Sequence, residues 1–305
     1  MKRLFVVYNP RSSRYASVKA EVLERLNELA GFLVGKYEVE KIGIEGNVEK
    51  LAKLLKDGDT VLAAGGDATG VIAANAIMQS GCDVTLAVLP YGNFNDLART
   101  LGTNSFDDVF DDNAKVRKFY SLEVIVDGKH WRYATCYVTM GMTAEAVKLY
   151  DAAKMRKVLK KKWGRYVGSY TNLMGWYFKH RHKKEFIPEF KLNGVLQDKR
   201  ISDYAAVNGR SMARVMKGGE DYYKPREFRR EVGRLTSFWR LFDLMVKSIF
   251  VRTPGEETKG DVLEFVKSGR VEVQAEGESQ VFEGMKKIEV RKAKKCLKVI
   301  EGWQK

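Results

Sequence analysis

Val61-Leu62-Ala63-Ala64-Gly65-Gly66-Asp67-Ala68-Thr69-Gly70, followed by Ala87-Val88-Leu89-Pro90-Tyr91-Gly92-Asn93-Phe94-Asn95-Asp96, decides the fold of this chain. Each stretch is an apolar run of strand length that stops at glycine and then at an acid. That pattern marks the end of a buried parallel strand and the start of a helix, where α/β sheets put their ligand sites. Gly65 and Gly66 carry no Cβ, so their backbone N–H groups can come close to a ligand, and the apolar run Val71 to Met78 then starts a helix. Such a turn suits a phosphate. Asp67 is a poor direct contact for phosphate and a good holder of Mg²⁺ or of a substrate hydroxyl. Thr69 adds a hydroxyl at the helix start, where it caps or binds. In the second stretch Pro90 breaks the strand, Gly92 permits a tight turn, and Asn95 and Asp96 open another helix that their side chains are expected to cap. Either stretch alone reads as well as a turn; the pair points to a site.

Working outward, Leu4 to Tyr8 reads as a strand, and Val18, Val22, Leu26 and Leu29 fall on one helical face. A strand over Tyr37 to Ile44 and a helix over Val48 to Leu55 lead into the Gly-Gly-Asp strand. This alternation argues for a parallel, Rossmann-like sheet covered by helices through about residue 120, a nucleotide-binding α/β domain. After Ser121 the texture changes. Leu122 to Val126 alternates, Asp127-Gly128 signals a hairpin, and Trp131 to Met140 reads as the returning strand. Phe190 to Leu192, Asn193-Gly194 and Val195 to Gln197 suggest another hairpin, and Val271 to Ala275 and Lys287 to Val290 late strands. The expected fold class is therefore an α/β N-terminal domain plus a second, largely antiparallel, β-sandwich domain with inserted helices. The domain limits read as 1–121 and 122–290.

The chain of 305 residues is long enough for two domains. Leu4 to Tyr8 is too short for a signal peptide, and the most apolar window, Val61 to Met78, contains Asp67 and Asn75 and is not a membrane span. Cys82, Cys136 and Cys296 are scattered and show no metal spacing, which fits a reducing interior. With His130, His180 and His182 the only histidines, a histidine metal site or triad has little to draw on. The net charge of +15 points to anionic partners: nucleic acid, anionic lipid or nucleotide. Between Ala152 and Lys184, Lys154, Arg156, Lys157, Lys160, Lys161, Lys162 and Arg165 precede an apolar stripe of Val167, Tyr170, Met174, Tyr177 and Phe178. Core packing is the plainer reading of that stripe, and of Phe238, Leu241, Phe242, Met245 and Ile249; contact with an anionic membrane surface is the sharper one.

These motifs resemble a known family. Gly65-Gly66-Asp67-Ala68-Thr69 is similar to the Gly-Gly-Asp-Gly-Thr signature of the diacylglycerol-kinase catalytic-domain family, which includes bacterial lipid kinases and sphingosine kinases. Leu89 to Ala98 resembles its Leu-Pro-x-Gly-Thr-x-Asn-Asp-x-Ala, Tyr8 to Ser13 its Asn-Pro-x-Ser-Gly, and Met140 to Val147 its Gly-x-Gly-x-Asp-Ala-x-Val. The resemblance implies ATP and Mg²⁺ as cofactors, with phosphates near Gly65, Gly66, Asp67, Ala68 and Thr69. Asn9, Pro10, Arg11, Ser12, Ser13 and Asn93 complete the nucleotide site, and Asp67 meets Mg²⁺ through the nucleotide. Asn95 and Asp96 fall on the acceptor side of the cleft. Glu276-Gly277-Glu278 matches the family's Asp-Gly-Glu, which makes Glu278 the expected base beside Asp67. By the same resemblance residues 291–305, with Leu297 to Ile300, return to the first domain.

The implied function is transfer of the γ-phosphate to a lipid hydroxyl, diacylglycerol or a relative, by a cytoplasmic protein peripheral to the inner face of the membrane. A kinase for a sphingoid base, a polyprenol or NAD, and a catalytically impaired nucleotide- or lipid-binding protein, are the alternatives. No nucleic-acid partner is expected, because no binding module accompanies the charge. Ala68 replaces a glycine, so its Cβ is expected to crowd a phosphate or to forbid a positive φ. Asn93 replaces a threonine, Ser13 a glycine, and Ile42 or a neighbour a threonine that the family offers to the nucleotide. The family's Asp-Gly-x-Leu has only a poor counterpart at Glu231 to Leu235, and its metal site is not carried over.

Overall fold

Strands β1 (Lys2–Tyr8), β2 (Phe32–Glu38), β3 (Thr60–Gly65), β4 (Thr85–Pro90) and β5 (Lys115–Phe119) alternate with helices α1 (Tyr15–Val18), α2 (Gly43–Ala52), α3 (Asp67–Ser80), α4 (Asp96–Leu101) and α5 (Phe106–Phe110). There follow β6 (Leu122–Val126), β7 (Lys129–Ala134), β8 (Tyr137–Gly141), α6 (Met142–Asp151) and α7 (Ser169–His180). Then come the hairpin β9 (Phe190–Leu192) and β10 (Val195–Leu196), β11 (Asp203–Val207), the hairpin β12 (Ser211–Met212) and β13 (Met216–Lys217), and β14 (Phe228–Gly233). The chain ends in β15 (Glu256–Thr258), β16 (Gly260–Ala275), β17 (Glu278–Lys292) and β18 (Leu297–Glu301). This computed structural model describes residues 2–29, 31–111, 114–151, 169–180, 182, 186–212, 216–234, 238–239, 242–243, 246 and 255–302.

The first sheet runs β2-β1-β3-β4-β18-β5, parallel except where β5 pairs antiparallel with β18. Its central strands are buried on both faces, as parallel strands under helices must be. Val61, Ala63, Leu86 and Val88 enter one core. Their neighbours Leu62, Ala64, Ala87 and Leu89 enter the core on the opposite face, the period-2 alternation of a strand. The second sheet runs β15-β14-β11-β8-β16-β17-β6-β7 with antiparallel pairing throughout. Register shifts on either side of Gly269 bend β16. Leu263 and Phe265 from one half and Val271 and Val273 from the other therefore fill one core.

The α/β sheet and the antiparallel β-rich part are the architecture expected from the sequence. Their junction is solid: Tyr137, Ala205, Val207 and Tyr222 of the second part lie in the same core as Val61, Ala73 and Leu97 of the first. The strand expected at Tyr37 to Ile44 instead ends at Glu38, because β2 is an edge strand whose Leu33 faces solvent and hides the alternation. Trp131 to Met140 is two strands, β7 and β8, broken at Thr135-Cys136. The basic run from Lys154 to Arg165 lies outside the described residues, as do Val167, Leu241, Met245 and Ile249. Among the described residues no helix is long and apolar enough to cross a membrane.

Candidate active site

The two signature turns touch backbone to backbone. A Cβ on Gly66 would lie 3.1 Å from Gly92 Cα, and one on Gly92 would collide with Gly66 Cα. A Cβ on Gly65 would strike the Thr69 side chain, which folds back over it. These glycines therefore let the two strand ends and the first turn of α3 pack as one body, a closer role than the ligand approach expected of them.

Asp67, the first residue of α3, ties that body together. Its Oδ2 accepts the Asn95 N–H at 2.9 Å and its Oδ1 the Asp96 N–H at 2.6 Å, so the start of α4 is capped from another helix. Asn95 has the left-handed φ of +57° and does not cap. Its Oδ1 accepts the Gly92 N–H at 2.6 Å, while its Nδ2 donates to Gly92 O and Pro90 O, closing the turn on itself. Gly66 is the N-cap residue of α3 and Thr69 makes no cap. Thr69 Oγ1 is buried without a hydrogen-bond partner, as is Ser12 Oγ.

The turn after β1 lies against the same edge. Asn9 Oδ1 accepts the Arg11 N–H at 3.0 Å, Arg11 reaches Glu40 O, and Arg14 donates to Pro90 O at 3.2 Å. Ser13 Oγ donates to Asn93 Oδ1 at 3.2 Å. Two departures from the family pattern thus bond to each other. Ala68 is the second residue of α3 and has no positive φ, so its Cβ forces no backbone strain there. Ile42 precedes α2 and is 44% exposed.

The second sheet delivers one more carboxyl. Glu276 and Gly277 form the two-residue turn between β16 and β17, with φ of +53° and +87°. A left-handed glutamate costs ~1–2 kcal/mol, and here burial and hydrogen bonds hold it. Its carboxylate accepts from Thr135 Oγ1 and from the Cys136 N–H, the two residues at the break between β7 and β8. Burial pushes the Glu276 carboxyl up to about 7 against those bonds, helped by the charge of Asp96. Burial, then the charges of Asp96 and Glu276, also push Asp67 up to about 7. Burial, then the same charges, raises the Cys136 thiol and the Tyr137 phenol.

The sequence made Glu278 the base; in the fold it opens β17 in register with Ala275, and the carboxylates acting on Asp67 are those of Asp96 and Glu276. The left-handed residue 276 sets its carboxylate on Thr135 and Cys136, at the break between β7 and β8. Several site residues carried no motif. Asn75 of α3 clamps β7, donating to Tyr133 O at 2.9 Å and accepting its N–H at 2.8 Å. Asn208 donates to Thr135 O at 2.6 Å and accepts from Lys292 Nζ, a buried amine whose other partners are Tyr120 O and Asp221 O. Among the described residues no group of three or more His, Cys, Asp or Glu side chains is disposed to hold a metal ion.

Residues 3–125 match the model of the diacylglycerol kinase catalytic domain. That stretch is similar to the diacylglycerol kinase catalytic domain. It is 36% identical over 104 residues to a diacylglycerol kinase of Bacillus subtilis (strain 168), covering 33% of this chain and 34% of that one. The likeness to a diacylglycerol kinase of Staphylococcus saprophyticus is 34% over 102 residues, covering 33% of each. These alignments span about a third of the curated relatives' length. Two crystal structures from Bacillus anthracis str. Sterne, the second of a diacylglycerol kinase, superpose on 99% of this chain and 97% of theirs. Their TM-scores are 0.71 and 0.65 at 14% and 12% identity, a likeness of fold. Asn9 to Ser13, Gly65 to Thr69, Asn93, Asn95 and Asp96 lie within the matched residues 3–125; Glu276 and Glu278 lie beyond them.

Proposed function

We propose that this chain is an ATP-dependent lipid kinase that transfers the γ-phosphate to a lipid hydroxyl, that of diacylglycerol or a related lipid. The observation that carries the reading is the meeting of Asp67, Asp96 and Glu276, from two helix starts and a hairpin turn, beside the open end of the first sheet. The kinase-domain likeness of residues 3–125 supports it. The buried hydroxyls of Ser12 and Thr69 fit phosphate oxygens, together with the first-turn N–H groups of α3. Asn9 to Ser13 and Asn93 border the same turn and complete the nucleotide site in this reading. Both Asp67 oxygens already accept a backbone N–H, so Asp67 fits a water of Mg²⁺ better than the ion itself. When bound, Mg²⁺ supplies charge neutralisation on the phosphate oxygens.

In this reading Glu276 takes the proton of the acceptor hydroxyl. Its carboxyl titrates near 7, where a base is both available and strong enough. Thr135 and the Cys136 N–H hold it in one orientation, and burial, with Asp96 adding to it, keeps its proton affinity high. ATP and a lipid acceptor meet at the inner face of a membrane, and the reading puts the chain there.

The test is transfer of label from Mg-ATP to a panel of lipids in mixed micelles. Wild type yields phosphorylated lipid, and Glu276→Gln lowers kcat by about 100-fold or more, with a smaller loss in Glu278→Gln. Wild-type protein that neither binds ATP nor forms product overturns the reading; equal losses in the two variants overturn the choice of Glu276.

A further inference from the structure

We propose that Lys292 is a positioning residue for Glu276 and acts on it through the Asn208 amide, an inference that rests on Glu276 as the proton acceptor of the proposed reaction. Lys292 ends β17 and is 6% exposed. Its ammonium group lies where the chain crosses between the two sheets. Tyr120 and Ser121 join β5 to β6, residues 293–296 join β17 to β18, and the Ala293 N–H donates to Ser121 O at 2.9 Å. Nζ donates to Tyr120 O at 3.1 Å, to Asp221 O at 2.7 Å and to Asn208 Oδ1. An ammonium group has three N–H donors and no acceptor, so these three oxygens use it completely. A neutral amine has two donors, and one of the oxygens would go unpaired.

The Asn208 amide links that group to the site. Asn208 is fully buried, and while its Oδ1 accepts from Lys292 its Nδ2 donates to Tyr120 O at 3.0 Å and to Thr135 O at 2.6 Å. Turned over, the amide would set Nδ2 against the ammonium group and Oδ1 against two carbonyl oxygens, so the cation fixes its orientation. The backbone completes the hold: the Asn208 and Gly209 N–H groups both donate to Cys136 O, at 2.7 and 2.9 Å. There is no slack at Gly209, where a Cβ would lie 2.9 Å from Cys136 Sγ. Thr135 and Cys136, held in this way, are the two residues that donate to the Glu276 carboxylate. Of the charged groups around Lys292, the Asp221 carboxylate favours its proton and Lys224 opposes it. Lys224 and Arg229 each lie 3.3 Å from Asp221 and draw on that carboxylate. Burial prevails and lowers the amine to about 7, so its third donor is at stake where Glu276 titrates.

Carbon NMR of the Glu276 carboxyl, followed against pH in nucleotide-free protein, tests the relay without any phosphoryl transfer, so a failure of the relay is distinct from a failure of the kinase reading. Lys292→Met removes the donors, and Asn208→Ala keeps the cation but removes the link. Either change loosens bonds that favour the Glu276 carboxylate, so its midpoint is expected to rise in both, by about tenfold in proton affinity. The double variant should rise no further than the larger of the two. Where transfer is measured, kcat falls in both variants while KM for ATP holds, and the rise of kcat with pH moves up with the Glu276 midpoint. A merely structural Lys292 would lower the melting temperature and leave that midpoint in place. In wild type the Asn208 Nδ2 proton signals are expected to follow the titration of the Lys292 nitrogen, a readout that does not need a folded variant. An unmoved Glu276 midpoint in Asn208→Ala, additive shifts in the double variant, or Asn208 signals that ignore Lys292 each overturn the proposal.

Discussion

At Gly66 and Gly92 the missing side chains are what let two strand ends meet, so the tolerance of these positions follows from what stands opposite. A methyl group on Gly92 meets backbone, which cannot swing aside as a flexible side chain can. Gly92→Ala is expected to lower unfolding free energy by about 1–3 kcal/mol and to separate Asp67 from the Asn95 and Asp96 N–H groups it caps. Gly175, inside α7 with open space around it, is the control: Gly175→Ala gains up to about 1 kcal/mol from helix propensity. Urea midpoints of the two variants against wild type measure both signs. The same local view shows what can be read from sequence. Val61 to Gly66 and Ala87 to Gly92 announce themselves, because an apolar run ending in glycine is a local pattern. The place of Glu276 does not, since nothing in Glu276-Gly277-Glu278 tells that residue 276 takes a left-handed φ and bonds to Thr135 and Cys136.

Helix α3 joins the two sheets, with the signature turn at its start and Asn75 in its middle. Asn75 gives Tyr133 both of its missing backbone partners, which fixes β7 just before the break at Thr135-Cys136 that grips Glu276. Asn75→Ala leaves a buried N–H and a carbonyl unpaired, a cost of roughly 2–4 kcal/mol. Hydrogen exchange at the Tyr133 amide should then accelerate well ahead of that in β3, and equal protection in variant and wild type would contradict the clamp. Elements of this kind are poorly legible in advance. Tyr133, the residue that Asn75 clamps, lies 58 positions away and the Lys292–Asn208 pair spans 84, so no window of sequence contains both ends. The limits of β2 are hidden for another reason, its exposed edge, whereas β6 and its turn at Asp127-Gly128 follow the alternation and the turn chemistry.

Across the whole molecule, buried ionisable groups make stability and chemistry pull against each other near neutrality. Burial raises Asp67, Asp203 and Glu276 each to about 7. In the unfolded chain such carboxyls titrate near 4, so over the interval from about 4 to about 7 the folded state holds protons that the unfolded state has lost. Stability from these groups is full below the unfolded value and is lost as pH rises through the folded one. Lys292 works the other way: burial lowers its amine to about 7, so its charging penalty is complete below 7 and fades as pH climbs toward 10.5. Together they predict an unfolding free energy that falls from pH 5 to pH 7, on the order of 3 kcal/mol per carboxyl, and recovers above it. Glu276→Gln keeps an oxygen for Thr135 and Cys136 but has no proton to lose, so its urea midpoint should fall less steeply over the same interval while phosphoryl transfer slows by about 100-fold or more. A midpoint that rises from pH 5 to 7, or the same slope in the variant, would show that Glu276 enters the folded state already ionised and is too weak a base for the role proposed here.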